Sequence, residues 1–159
     1  RTAFAGSKVT YMSIGTVCAN LISGFLTDIN WKLIFTLSLS GLLMGVLTSF
    51  VVTSEVEMYL WIPIMLIIAY FVAKQASGKY FLHGFLTSVF SGFWLLLVHA
   101  LLWDNFYALN KVSMDADFAG MPQGFSMKLI MLAVTPFVGA FFGLIQGLLA
   151  FLASKIVKK

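Results

Sequence analysis

Met127–Ser154 reads MKLIMLAVTPFVGAFFGLIQGLLAFLAS, apolar throughout and without a charge after Lys128. A helix needs roughly 20 such residues to cross about 30 Å of hydrocarbon, so this stretch predicts a transmembrane helix. Within it Gly139, Gly143 and Gly147 recur at every fourth position. That spacing lays three missing side chains in one shallow groove, into which another helix backbone can come close. Lys155, Lys158 and Lys159 follow at once, and the bias of basic residues toward the cytoplasm predicts that this end stays inside.

The composition extends the reading to the whole chain. Of 159 residues 60% are hydrophobic, 16% aromatic and 10% charged, with a mean hydropathy of +0.97; a soluble domain carries about 25% charged residues. One membrane domain is therefore expected. The net charge of +4 belongs to lysines that flank apolar runs, not to a stripe on a polar face, so nucleic acid is not an expected partner. A single cysteine, Cys18, excludes an internal disulfide and a Cys-based metal cluster. The opening residues lack the charged, apolar and small-residue regions of a cleavable signal peptide.

Residues 1–30 stand apart. From Tyr11 the positions Tyr11, Ile14, Cys18, Leu21, Phe25 and Ile29 alternate in steps of three and four with Ser13, Thr16, Asn20, Ser23, Thr27 and Asn30, an amphipathic helical pattern. The chain opens on Arg1 and not on Met, so the segment reads as an interfacial amphipathic helix or a non-native extension. A fifth span is the rival, strained because only Asp28–Asn30 would turn the chain. The first full span is 31–52, anchored by Trp31 and Lys32, with Gly41, Gly45 and Ser49 again four apart; this helix is expected to pair with the last one. The second is 59–73, with Tyr59 and Trp61 at its entry and Pro63 in its first turn. The third is 80–103, where Gly84, Ser88, Ser91, Leu95 and His99 share one stripe. Residues 104–126 form a polar, turn-rich loop, and 127–154 is the fourth span. The fold class is all-α, a four-transmembrane-helix bundle over 31–159. In that arrangement Arg1, Lys8, Lys32, Lys74, Lys79, Lys155, Lys158 and Lys159 fall on one side, with only Lys111 and Lys128 opposite. Both termini are thus expected in the cytoplasm.

At NWKLIF (Asn30–Phe35), GKYFLHGFL (Gly78–Leu86), Met121–Pro122 and FLASKIVKK (Phe151–Lys159) the chain resembles a family of small uncharacterised bacterial inner-membrane proteins. The resemblance covers Asn30–Lys159 and implies a multi-pass protein of the bacterial inner membrane. It carries no activity, and it marks residues 1–29 as an extension.

Candidate chemistry is sparse. His83 and His99 are ionisable groups at membrane depth, each a few residues from an end of its span; His99, on the small-residue stripe, is the better candidate for an interior hydrogen bond. Both lie on one helix, so one chain cannot supply two axial ligands to a haem iron. No cofactor and no metal are expected. The acidic set Glu55, Glu57, Asp104, Asp115 and Asp117 matches no calcium-loop spacing and reads as solvated charge. His99, Asp104, Ser113 and Asp117 lack any nucleophile signature. Gln146 is an amide at membrane depth, of the kind that hydrogen-bonds across helices for about 1 kcal/mol.

Two functions remain in view, neither enzymatic. The first is a structural or interaction role through the packing residues Gly41, Gly45, Ser49, Gly84, Ser88, Gly139, Gly143 and Gly147, with the lipid bilayer and a homo-oligomer or another membrane protein as partners. The second is a small transporter or channel subunit acting as an oligomer, with His99 and Gln146 as its candidate interior polar residues.

Overall fold

The computed structural model describes residues 27–120 and 126–157, together with residue 15. The amphipathic pattern from Tyr11 to Phe25, the Met121–Pro122 phrase and the last two lysines lie outside the described residues. Among those described there are five helices and no strand: α1 (Trp31–Phe50), α2 (Ser54–Gln75), α3 (Tyr80–Leu101), α4 (Trp103–Asp117) and α5 (Met127–Ile156). Four of them, α1, α2, α3 and α5, are long and apolar enough to cross a membrane. The chain is an all-α, multi-pass membrane protein.

Local sequence explains the helix ends. Asn30 caps α1, its side-chain oxygen accepting from Leu33 N at 3.0 Å. Ser126 does the same for α5. The second span begins earlier than its apolar run, at Ser54, because Glu55 and Glu57 occupy the first turn, where the helix dipole favours negative charge. Pro63 therefore sits in the interior of α2, where its ring removes one backbone N–H from the ladder, and not in a first turn. Residues 104–126 are likewise no simple loop: α4 occupies most of them. At 30 residues, about 45 Å of helix, α5 is longer than the apolar thickness it crosses.

The distribution of side chains is that of a protein whose solvent is lipid. Phe35, Leu43, Ile62, Leu66, Phe137, Phe141 and Leu148 face outward, whereas Ser38, Thr48, Ser49, His83, Thr87 and Gln146 are buried. In hydrocarbon a polar group must be satisfied from within the protein. Most hydroxyls manage this on their own helix: Thr48 Oγ1 donates to Met44 O at 2.9 Å, Ser49 Oγ to Gly45 O at 2.8 Å and Thr87 Oγ1 to His83 O at 2.8 Å.

α3 is the central element, packed on α1 along one side and α5 along the other. It runs parallel to α1, with Gly41 against Ser91 and Gly45 against Val98, and antiparallel to α5, with Gly84 against Ala150 and Gly92 against Gly139. Both glycine stripes thus face α3, so α1 and α5 do not pair through them. A Cβ at Gly41 would fall on the Ser91 carbonyl; one at Gly84 would stand 2.7 Å from Gln146 O, and one at Gly147 2.8 Å from Phe81 O. Small residues here are a condition of backbone approach. A core of Leu33, Ile68, Val72, Ala76 and Ala150 then closes the end of the bundle where α1 and α3 begin.

Because the obstruction at Gly41 is backbone, Gly41→Ala should destabilise the bundle by about 1–3 kcal/mol. The nearest foreign atom to a Cβ at Gly139 is Gly92 Cα at 3.8 Å, so Gly139→Ala should stay within about 0.5 kcal/mol of the parent. Helix propensity favours alanine at both by up to about 1 kcal/mol, so a loss confined to Gly41 reports the steric contact. Reversible unfolding in detergent micelles measures both.

Candidate functional site

Each end of the bundle is tied by a histidine. His83 is fully buried. Its Nε2 accepts from Asn30 N at 2.9 Å, and its Nδ1 lies 3.0 Å from Lys79 O, to which it can only donate. The ring is therefore the Nδ1–H tautomer, and it binds the start of α1 to the start of α3. None of the ring is exposed. His99 does the corresponding work at the other end. With the Thr48 hydrogen directed to Met44 O, Thr48 Oγ1 accepts from His99 Nε2 at 2.8 Å, the opposite tautomer. The His99 ring also stacks on Phe106 of α4, centroids 4.0 Å apart.

Asn110 joins three elements at that end. Its Oδ1 accepts from Ser54 N at 2.6 Å, and its Nδ2 donates to Thr48 O at 3.2 Å and Phe106 O at 2.9 Å. Its backbone leaves helical geometry, with φ −105° and ψ 15°. Ser113 Oγ donates to Asn110 O at 3.0 Å, so the 3.1 Å contact with Ser54 Oγ is one in which Ser54 donates. α4 is held across the end of the bundle by these bonds, with Trp103 and Tyr107 stacked on one another.

Under that end lies a cavity of about 240 Å³ between α2, α3 and α5. Gly92 and Gly139 contribute no side chains to their stretch of wall, which leaves room there. Glu57 and Trp61 line it from α2, Ser88 and Ser91 from α3, Thr135 and Gln146 from α5. Glu57 Oε1 accepts from Trp61 Nε1 at 3.0 Å. Gln146, 1% exposed, donates from Nε2 to Met65 O at 3.1 Å, while its Oε1 meets no donor among the described residues. The amide cannot be turned over to relieve this, because Oε1 would then face the Met65 carbonyl.

Of the two interior polar residues singled out by sequence, Gln146 lines the cavity, whereas His99 stands outside it on Thr48. Ser88 lines the cavity wall; Ser49 is buried with its hydroxyl on Gly45 O. Gly143 and Gly147 receive the Phe85 and Phe81 rings. His99 and Ser113 spend their polar atoms on different partners, so the two form no nucleophile–base pair. Among the described residues no three His, Cys, Asp or Glu side chains are placed to hold a metal ion. Sequence reasoning had set Glu57 among loop charges and Trp61 at the entry of its span, and had passed over Asn110. The spacing of Glu57 and Trp61, one helical turn apart, was the available signal. No family profile, curated protein or solved structure matches the chain.

Replacing Asn110 with Ala strands Ser54 N and frees Thr48 O, a loss of about 1–3 kcal/mol. Faster amide exchange across Trp103–Asp117, with the spans still protected, is the expected result. A second test uses Tyr107, whose hydroxyl donates to the Asp115 carboxylate at 2.7 Å. That hydrogen bond holds the phenol above its ordinary value, since ionisation would lose the bond and set two negative charges together. The bond is intact below the ordinary phenol value and is lost as pH rises through the raised one. Asp115→Asn should therefore move one tyrosinate transition to lower pH in an absorbance titration.

Proposed function

We propose that this chain is a small-molecule-binding membrane protein, a transporter or channel subunit that acts as an oligomer. The observation that carries the reading is the mostly apolar cavity between α2, α3 and α5, with the Gln146 amide in its lining and the buried Gln146 carbonyl without a donor among the described residues. A buried acceptor left unpaired costs about 1–3 kcal/mol, and apolar pockets with a few convergent polar groups are the usual form of ligand sites. The cavity does not cross the bundle, so passage through the membrane calls for a second subunit or a change of conformation. The glycine stripes support partner recognition less well, because Gly41, Gly45, Gly84, Gly143 and Gly147 already meet α3 or α5 within the chain.

The membrane is proposed to be the bacterial inner membrane with both termini in the cytoplasm. Lys32, Lys74, Lys79 and Lys155 at the shared end of the four spans support this orientation, and the resemblance to small inner-membrane proteins supports the source.

Gln146→Leu separates a binding role from a packing defect. It removes the unpaired acceptor at similar volume, while Met65 O keeps its place in the α2 ladder. The empty variant should therefore be more stable than the parent by about 1 kcal/mol. The parent, released from native lipids in a mass spectrometer, should carry a small molecule that the variant lacks. A parent that is bare in every preparation, together with an equally bare variant, sinks the binding role.

A further inference from the structure

A second hollow, of about 220 Å³, lies between α2 and α5 toward their C-terminal ends. Ala69 of α2 and Ala153 of α5 are too short to fill it. Ala69 is buried, whereas Leu66 and Tyr70 on one side and Leu152 on the other stand exposed above it. The lining is apolar apart from the Tyr70 hydroxyl, and the walls belong to helices whose outer faces border lipid. Hydrocarbon is the natural filling of such a hollow.

The end of the groove nearer to water is different. Lys74, in the last turn of α2, follows Tyr70 by four residues and folds back over it. Its ammonium lies 5.7 Å from the centre of the Tyr70 ring and donates to Tyr70 Oη at 3.4 Å. With its oxygen accepting, the phenol keeps a hydrogen to donate, and no acceptor among the described residues takes it. Nor does a carboxylate among them pair with Lys74: Asp28, the acid at this end, is engaged by Lys79 at 3.3 Å. The C-terminus of α2 carries about half a negative charge, less than the full positive charge that Lys74 sets beside it. Two donors, one of them cationic, thus stand together where the hollow meets the headgroup level, a depth at which Tyr and Lys are the usual anchors.

We propose that this groove binds an anionic glycerophospholipid, with an acyl chain in the hollow over Ala69 and Ala153 and the phosphodiester at Lys74 and Tyr70. The order of chemistry along the groove is that of a lipid: charge at the membrane surface, hydrocarbon inward. Phosphate oxygens can only accept, and bonds to them from an ammonium are charge-assisted. The chain gains dispersion but no hydrophobic energy, since lipid tails are as apolar as the walls. Discrimination among lipids therefore falls to the headgroup, and the net negative ones are favoured. The groove is separate from the cavity beneath α4, and its occupant does not depend on what that cavity holds.

Native mass spectrometry of the full chain in detergent micelles tests this by titration with phosphatidylglycerol and phosphatidylcholine, both dioleoyl. The first bound phosphatidylglycerol should be held about fivefold more tightly than phosphatidylcholine, the worth of one lysine beside an anionic headgroup. Lys74→Gln should erase that preference. Tyr70→Phe should weaken both lipids alike, by about fivefold, because the phosphate is common to them. Lys32→Gln removes the same charge from α1, which does not line the groove, and should leave the preference intact. Ala153→Leu, which fills the hollow, should weaken both lipids several-fold; if that variant does not fold, the exposed Lys74 and Lys32 side chains still decide the matter. Equal binding of the two lipids by the parent, or equal losses in Lys32→Gln and Lys74→Gln, overturns the site in favour of diffuse attraction to a basic surface. A folded Ala153→Leu variant that binds both lipids as the parent does overturns the place given to the acyl chain, and the proposal with it.

Discussion

The backbone of α1 lies against the Ser91 carbonyl of α3 at Gly41, and the backbone of α3 lies against that of α5 where Gly84 meets Gln146. These two approaches place α3 within reach of everything else. In lipid there is no hydrophobic force to draw helices together, because the tails are as apolar as the side chains they would replace. Association has to come from dispersion at short range and from the few polar groups that find partners. Both require backbones that can come close, and a Cβ at either position would hold them apart. The fold thus depends on missing atoms as much as on present ones.

Once α3 is in place, polar chemistry sorts itself by depth. At the end where α1 and α3 begin, His83 joins Asn30 to Lys79 and the Lys79 ammonium meets the Asp28 carboxylate at 3.3 Å. At the opposite end His99, Thr48 and Asn110 gather α1, α2, α3 and α4 into one network. Between them α1 and α3 meet through single contacts, such as Trp94 Nε1 donating to Ser38 Oγ at 3.2 Å. Interhelical bonds of this kind average about 0.6 kcal/mol, so none fixes the structure alone; their placement at the two ends sets the register of α3 against its neighbours.

The four spans were legible because their signal is additive: some twenty apolar residues in a row outweigh any local preference. The partner of each glycine stripe was not, because a stripe records where a backbone can be approached and says nothing of which helix approaches. Gly139–Gly147 and Gly41–Gly45 look alike in sequence and meet different residues of α3. α4 was hidden for another reason. Its Asp104, Asn105, Asn110, Ser113 and Asp117 are residues that also favour turns, and its helicity depends on anchors from α1 and α2 that no local window contains. Gln146 stood out as an amide among apolar neighbours, whereas Glu57 did not, because its apolar stretch seemed to begin at Tyr59. Only the earlier start of α2 brings its carboxylate beside Trp61 and onto the cavity wall.

The cavity is the one place where the chain departs from its own rule. Elsewhere Ser and Thr turn back to their helix, and both His83 nitrogens are paired. At Gln146 a leucine of similar size would satisfy packing and remove an unpaired carbonyl, yet the amide is held in place by a bond to Met65 O that aligns only its nitrogen. Helix pairing gains nothing from the oxygen, since the nitrogen alone makes the contact between α5 and α2. On the surrounding wall the Ser91 and Thr135 hydroxyls donate back to Thr87 O and Met131 O of their own helices.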